Sequence, residues 1–193
     1  VTDFMTSDGL VTAEVGTSLD QAKAILQQHR IEKLPLVDAN GHLAGLITVK
    51  DIQKRLDFPN ASRDGRGRLR CAAAVGVGDD LEERVEALVA MGVDAVSIDT
   101  AHGHSANVVK AIQRIKGSWP NLAVTAGNVV TEEGVETLAS AGADAVKVGV
   151  GAGSICTTRV VSGAGMPQLS AIWFTAQRAR QLGIPVIADG GLT

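Results

Sequence analysis

Short apolar runs alternate with amphipathic segments from residue 71 to the end of the chain. The runs are AAAVGV, DAVSID, LAVTAG, DAVKVGV and IPVIAD, and each has the length of a buried strand. The segment LEERVEALVAMG, which follows the first run, places Leu81, Val85, Leu88 and Val89 on one face of a helix. Strands that alternate with helices in this way predict a parallel sheet with crossover helices.

A repeat within this region favours one parallel architecture. Residues 81–96 align without gaps on residues 131–146 with nine identities, so a unit of helix, glycine and strand recurs after 50 residues. Two βα units per repeat favour an α/β fold of the incomplete (β/α)8 TIM-barrel type over a doubly wound sheet. No GxGxxG motif follows the first strand, which argues against a Rossmann domain. A complete barrel takes about 250 residues, so about five strands suggest a truncated barrel.

The N-terminal part has a different pattern. The apolar periodicity of Leu19–His29 predicts a helix. Asn40-Gly41, between KLPLVD and LAGLITV, predicts a β-hairpin because both residues tolerate a positive φ. The polar, charged and glycine-containing stretch before residue 71 is typical of a linker. We therefore expect a small α+β domain over residues 1–56, a linker over 57–70 and a partial barrel over 71–193.

Composition narrows the functional classes. The 193 residues carry a formal net charge of -3, spread along the chain, which argues against nucleic acid and acidic membrane surfaces as partners. No apolar run approaches the roughly 20 residues of a membrane span, and the N-terminus lacks the features of a signal peptide. The sequence therefore predicts a cytoplasmic protein whose two cysteines, Cys71 and Cys156, are free thiols.

Polar or nucleophilic residues follow four of the predicted strands in succession. They are Asp99, Asn128, Cys156 and Asp189. The carboxyl ends of parallel strands meet at one edge, where the active sites of such folds lie. A helix cap explains Asn128 equally well when it is taken alone. All four together favour a functional site.

Cys156 lies in a glycine-rich loop, GAGSICTTR, directly after the DAVKVGV run. Burial as a small core residue is the alternative interpretation, since free cysteines are often buried. The neighbouring Ser154, Thr157 and Thr158 are poor core partners, so the pattern favours a reactive thiol. Loop amides can increase the thiolate fraction, and carbonyl groups outside a ladder can coordinate a cation such as potassium.

These segments together resemble a known family. GAGSICTTR with SIDTAHGHS, TAGNVVT and IADGG, in this order, resembles the catalytic barrel of bacterial-type IMP dehydrogenase. Residues 1–54, which end in GLITVKDI, resemble one CBS repeat, and that family inserts a CBS pair into its barrel. The chain departs from the family pattern at Ala152, where the family commonly has proline. The family's mobile flap with its Arg-Tyr pair would lie beyond Thr193.

The resemblance implies an activity and the residues that carry it. Cys156 attacks C2 of IMP, a hydride passes to NAD, and hydrolysis releases XMP, with Thr158 near the attacking water. Implied substrate ligands are Ser154, Asn128, Asp189, Gly190 and Gly191. Implied NAD ligands are Asp99, Gly149, Val150 and Gly151. Implied potassium ligands are the carbonyls of Gly151, Gly153 and Cys156. The carboxylate of Asp189 can also be argued from the residues alone, since it can accept both ribose hydroxyls while the two glycine amides approach a phosphate.

Further expectations and alternatives remain open. The resemblance implies a homotetramer, and an adenine or guanine nucleotide at the CBS repeat through Thr48 and Asp51, although a helix cap explains Thr48 equally well. GMP reductase shares the cysteine motif and is the first alternative function. A non-catalytic CBS nucleotide-binding fragment is the second. A zinc site at His102 and His104 is the third, and it lacks a third ligand at useful spacing.

Overall fold

The computed structural model describes residues 4–6, 8–65 and 67–192, and the chain divides into two units, Val1–Leu69 and Arg70–Thr193. The first unit contains β1 (Ala13–Glu14), α1 (Leu19–His29), β2 (Lys33–Val37), β3 (Leu43–Thr48) and α2 (Val49–Asp57). The strands of the second unit are β4 (Ala72–Val75), β5 (Ala95–Asp99), β6 (Ala123–Val129), β7 (Ala145–Val148) and β8 (Val186–Ala188). Its helices are α3 (Leu81–Ala90), α4 (Ala106–Ser118), α5 (Glu132–Ser140), α6 (Thr158–Ser162) and α7 (Gln168–Leu182).

The first unit is a three-stranded sheet with two helices. β1 pairs in parallel with β2, and β2 pairs antiparallel with β3, which confirms the predicted hairpin. The connection differs in detail from the expectation, because only Gly41 takes a positive φ, of 80°. Asn40 instead donates its backbone N–H to the Asp38 carboxylate at 2.8 Å, and His42 does the same at 2.9 Å. One acidic side chain therefore holds the turn together.

Both helices of the first unit begin with a capping box. α1 has the predicted bounds, and its cap pairs Ser18 with Gln21. At α2, the Thr48 hydroxyl accepts from the Asp51 backbone N–H at 3.2 Å, while the Asp51 carboxylate accepts from the Thr48 backbone N–H at 2.9 Å. Such reciprocal bonds satisfy the free amides of a first helical turn. The capping interpretation of Thr48 is therefore confirmed.

The second unit confirms the predicted α/β fold with a parallel sheet. Its five strands lie in the order β4-β5-β6-β7-β8, and every neighbouring pair is parallel. Strand order follows chain order, as it does between neighbouring strands of a (β/α)8 barrel. A doubly wound sheet reverses its strand order at a switch point, and these five strands show no reversal.

One face of this sheet is fully buried. Its central side chains, none of which is exposed, are Val96, Ile98, Val124, Ala126, Val146 and Val148. They pack against apolar side chains of the crossover helices in a single core. Because side chains alternate along a strand, the intervening residues point to the opposite face, where Ser97 lies beside Thr125 and Asp99 beside Gly127. The sheet therefore has one hydrocarbon face and one small, polar face.

The sequence repeat corresponds to a repeated tie between strands. The Asp94 carboxylate accepts from the backbone N–H of Cys71 at 2.8 Å, at the start of β4. The equivalent Asp144 accepts from the backbone N–H of Val124 at 2.7 Å, near the start of β6. In both cases the aspartate precedes its own strand and binds the amino end of the strand before it. Both copies of the repeat therefore have aspartate at this position because each aspartate makes the same bond between two strands.

We expect the buried helix face to dominate the stability of the second unit. Leu138→Ala on α5 removes a fully buried side chain, and it should lower the free energy of unfolding by about 2 to 5 kcal/mol. Urea unfolding followed by tryptophan fluorescence measures this change, because both tryptophans, Trp119 and Trp173, belong to the second unit. Met91→Ala is the control, since Met91 is 87% exposed. Equal losses in the two variants would contradict the assigned core.

Candidate functional site

The carboxyl ends of β5 and β6 and the loop after β7 enclose a pocket of about 300 Å³. Its lining residues are Asp99, Thr100, Ala101, Asn128, Gly149, Val150, Gly151, Cys156 and Thr158. Seven of these nine are among the residues that the sequence assigns to substrate, cofactor or catalysis. The expectation that the strand ends meet at one edge is confirmed by the parallel topology.

Lys147 on β7 is a polar residue of this edge that the sequence analysis missed. Its ammonium lies 3.0 Å from Asp99 Oδ1 and 3.2 Å from Asp189 Oδ2. Burial lowers the pKa of Lys147, but its hydrogen bonds to the two carboxylates outweigh burial and leave that pKa raised. The available signal was a lysine inside the otherwise apolar run DAVKVGV.

Asn128 joins the pocket to Asp189. Its side-chain amide donates to Asp189 Oδ2 at 2.9 Å and to the Gly149 carbonyl at 2.7 Å. The hydrogen bond from Asn128, together with the nearby Lys147 ammonium, lowers the pKa of Asp189 despite partial burial. The helix-cap interpretation of Asn128 is wrong, because Thr131 caps α5.

The side-chain oxygen of Asn128 is a hydrogen-bond acceptor without a partner. Asn128 Oδ1 is buried and has no hydrogen-bond partner among the residues that the structure describes. Buried polar atoms are normally paired, and because this oxygen is shielded, a ligand could bind it only after the surrounding residues move.

Cys156 presents its thiol to the same pocket. Its Sγ lies 3.4 Å from the Thr158 hydroxyl oxygen, and the side chain is partly exposed. The side-chain hydrogen bond with Thr158 lowers the pKa of Cys156, and the positive charge of Arg159 acts in the same direction. A hydroxyl that donates to the thiolate stabilises the reactive form of a cysteine.

The loop after β8 packs on the cysteine loop. A Cβ added at Gly191 would lie 2.7 Å from the Ala152 carbonyl oxygen, and one at Gly190 would lie 3.3 Å from the Cα of Gly153. Only glycine at position 191 permits this approach. The contact places Asp189 beside the loop that carries Cys156.

The remaining predicted substrate ligands are less closely grouped. Gly191 lines a neighbouring pocket of about 360 Å³, together with Arg159 and the buried Gln168. Ser154 is exposed and is not among the lining residues of either pocket. Of the predicted substrate ligands, Asn128 therefore lines the same pocket as the thiol, and Asp189 reaches that pocket through its hydrogen bond with Asn128.

Two of the three carbonyls assigned to potassium, those of Gly151 and Gly153, already have partners. The Gly151 carbonyl accepts from Arg159 Nη1 at 2.5 Å, and the Gly153 carbonyl accepts from the Cys156 backbone N–H at 3.1 Å. A potassium ion at the Gly151 oxygen would meet a guanidinium of like charge. The described residues therefore do not fit a potassium ion in this arrangement.

The histidine pair has other contacts. The rings of His102 and His104 lie 6.5 Å apart, and His104 Nε2 is 3.2 Å from the Thr137 hydroxyl. Within residues 4–6, 8–65 and 67–192, no three histidine, cysteine, aspartate or glutamate side chains form a group that could hold a metal ion. The described helices are also too short or too polar to cross a bilayer.

A family model and several curated relatives that are similar to this chain all carry the name IMP dehydrogenase. The family model described as "IMP dehydrogenase / GMP reductase domain" matches residues 10–193. Inosine-5'-monophosphate dehydrogenases from Staphylococcus haemolyticus and Aquifex aeolicus are each 55% identical over 192 residues, and that of Staphylococcus epidermidis is 57% identical. These alignments cover 100% of this chain and 39% of each relative.

Solved structures of related proteins have the same fold. A GMP reductase variant from Trypanosoma brucei in complex with guanosine 5'-monophosphate superimposes with a TM-score of 0.79 and 42% identity, over 95% of this chain and 39% of that one. GMP reductase from the same organism in complex with guanosine 5'-triphosphate gives a TM-score of 0.79 over 95% of this chain and 44% of that one. The resemblance to the IMP dehydrogenase family is confirmed, and the CBS repeat stays a prediction.

The contact between Cys156 and Thr158 predicts a change in thiol reactivity. Thr158→Val removes the hydroxyl that stabilises the thiolate, so the pKa of Cys156 should rise and the midpoint of its alkylation should move to higher pH. Alkylation by iodoacetamide at a series of pH values, quantified on the Cys156 peptide by mass spectrometry, measures this midpoint. Thr157→Val is the control, because the Thr157 side chain makes no capping bond. A shift of equal size in both variants would exclude the specific contact.

Proposed function

Because the chain belongs to the IMP dehydrogenase / GMP reductase family, we propose that the protein carrying it oxidises IMP to XMP with NAD in guanine nucleotide biosynthesis. The observation that carries this proposal is the Cys156 thiol at the wall of a pocket bordered by Asp99 and Asn128. A nucleophile, a carboxylate and an amide side chain together suit a nucleotide whose base is attacked and whose ribose is held.

IMP is proposed to bind on the Asp189 side of the pocket. The Asp189 carboxylate accepts the two ribose hydroxyls, and the backbone amides of Gly190 and Gly191 approach the phosphate. Ser154 adds a hydroxyl to the phosphate after a rotation toward the pocket. Asn128 lies beside the nucleotide and holds the Asp189 carboxylate through its side-chain amide.

Cys156 is the proposed nucleophile. Its thiolate forms a bond to C2 of IMP, and the hydrogen on C2 leaves with its electron pair. The resulting thioimidate is hydrolysed by water, which breaks the C–S bond and releases XMP and the free thiol. Thr158 lies 3.4 Å from the sulfur, close enough to contact the attacking water as well as the thiolate.

The NAD site is proposed on the Asp99 side. Bound NAD supplies the hydride acceptor, which the family uses in general. Asp99 has a side chain that is 53% exposed, so its carboxylate can still accept the hydroxyls of the nicotinamide ribose while it contacts Lys147. The backbone of Gly149, Val150 and Gly151 forms the adjoining wall and allows close approach of the cofactor.

Binding of potassium by the cysteine loop, and of a nucleotide by the N-terminal unit, would each require that existing hydrogen bonds change. The Gly151 carbonyl can bind potassium only if Arg159 first releases it, so no step here depends on the ion. An adenine or guanine nucleotide at the CBS repeat would have to share Thr48 and Asp51 with the cap of α2. A homotetramer remains a prediction from the family resemblance.

GMP reductase is the second candidate function, favoured by the superposition on the Trypanosoma brucei enzyme at 42% identity. The higher identity to IMP dehydrogenases, 55% to 57%, supports IMP oxidation. Assays with IMP and NAD, and separately with GMP and NADPH, discriminate between the two reactions.

We expect Cys156→Ser, made in the longest open reading frame that carries this chain, to retain IMP binding and to lose the hydride step. A serine hydroxyl without an adjacent base is a far weaker nucleophile at neutral pH than a partly ionised thiol. The measurements are calorimetric IMP binding, NADH formation, and mass spectrometry of a quenched wild-type reaction for an adduct on the Cys156 peptide. Cys71→Ser is the control, because Cys71 lies at the amino end of β4. Normal turnover by Cys156→Ser, without an adduct in the wild type, would refute the mechanism.

Asp99→Ala should raise the KM for NAD much more than the KM for IMP. A carboxylate on ribose hydroxyls contributes about 1.5 to 3 kcal/mol as a charged hydrogen bond, which corresponds to about a tenfold or larger change. Steady-state kinetics with each substrate varied in turn give both constants. Glu86→Ala on the exposed face of α3 is the matched control. Equal increases in the two constants would mean that Asp99 only shapes the loop.

A further inference from the structure

The ammonium of Lys147 bridges two carboxylates that the proposed function assigns to different nucleotides. Asp99 is the last residue of β5 on the cofactor side, and Asp189 follows β8 on the substrate side. The two carboxylates belong to strands separated by β6 and β7, yet each lies within 3.2 Å of the same nitrogen. The lysine side chain is only 19% exposed, so water screens these contacts weakly.

A missing side chain on β6 makes this bridge possible. The register places Asp99 beside Gly127 and Gly127 beside Lys147, in one row across the sheet. A Cβ added at Gly127 would lie 2.7 Å from the Cβ of Lys147. Lys147 therefore reaches Asp99 across a strand that has no side chain in the way.

The bridge also connects to the wall of the pocket. Asp189 Oδ2 accepts from Asn128 as well as from Lys147, and Asn128 donates in addition to the Gly149 carbonyl. The chain of contacts runs from Asp99 through Lys147 and Asp189 to Asn128. A charged donor between two acceptors fixes the orientation of both more strongly than a neutral one, because charge-assisted hydrogen bonds are the stronger class.

We propose that Lys147 is a positioning residue shared by the two nucleotide sites, and that its ammonium holds the Asp99 and Asp189 carboxylates in the orientations that bind the two riboses. This inference rests on the proposed function for the identity of the nucleotides. Its chemical reason is that hydride transfer requires the donor and acceptor atoms to be brought to about 3 to 3.5 Å. Because the Lys147 ammonium contacts both ribose-binding carboxylates, it fixes their positions relative to each other and so the distance between the two nucleotides.

The test compares Lys147→Met, Lys147→Gln and Lys147→Arg in the longest open reading frame that carries this chain. Calorimetry gives the Kd for IMP and for NAD, steady-state kinetics give KM and kcat, and thermal unfolding reports whether each variant folds. Lys147→Met and Lys147→Gln should each raise the Kd for IMP and the Kd for NAD by at least about tenfold, because each carboxylate loses its charged partner. Lys147→Arg should recover most of the binding of both. Lys110→Met, at an exposed position of α4, is the matched control and should leave all constants unchanged.

The pattern of losses decides the outcome. A loss of both affinities in the neutral variants, with rescue by arginine, supports the shared role, because the loss of Asp99 alone is expected to affect mainly NAD. A loss confined to one nucleotide, or a fall in melting temperature with both affinities unchanged, overturns it. Should Lys147→Met not fold, Lys147→Gln, which keeps a donor without the charge, decides by the same criteria. A wild-type protein that binds both nucleotides without turnover would refute the proposed function, and the Kd values would still test the lysine.

Discussion

Valine side chains of three adjacent strands, Val96, Val124 and Val146, pack against the crossover helices on one face of the parallel sheet. None of the three is exposed, and Ile98, Ala126 and Val148 on the same strands are buried as completely. A buried face of this kind admits no unpaired polar group without a large cost. Polar residues of these strands are therefore confined to the opposite face or to positions beyond the strand ends. The location of the pocket follows from that restriction.

The polar edge is organised around charge and around backbone contact. Lys147 links Asp99 with Asp189 on the sheet, and Asn128 extends the connection to Gly149. The cysteine loop is held by the close packing of Gly191 on Ala152 and by the hydrogen bond from Arg159 to Gly151. Because Gly191 belongs to the same loop as Asp189, the binding groups and the loop that carries the nucleophile support each other at one pocket.

Much of the fold could be predicted because its signals are local. The bounds of α1, the hairpin, the parallel strands and the polar strand ends all follow from periodicity, turn residues and the repeat. Lys147 was missed because its role depends on register: only the pairing of β6 with β7 shows that Gly127 lies between the lysine and Asp99. The hydrogen-bond partners of the Gly151 carbonyl and of the Asn40 N–H could not be predicted from the sequence either. Hydrogen bonds between neighbouring loop groups leave no periodic signal in the sequence.

The ties made by Asp94 and Asp144 bear on how the sheet is assembled. Each aspartate directly precedes its own strand and binds the amino end of the previous strand in the chain. The units that end in β5 and β7 therefore each carry a group that fastens them to a strand already synthesised. At these two points a growing chain can add a strand to the sheet without waiting for a later strand to complete that attachment.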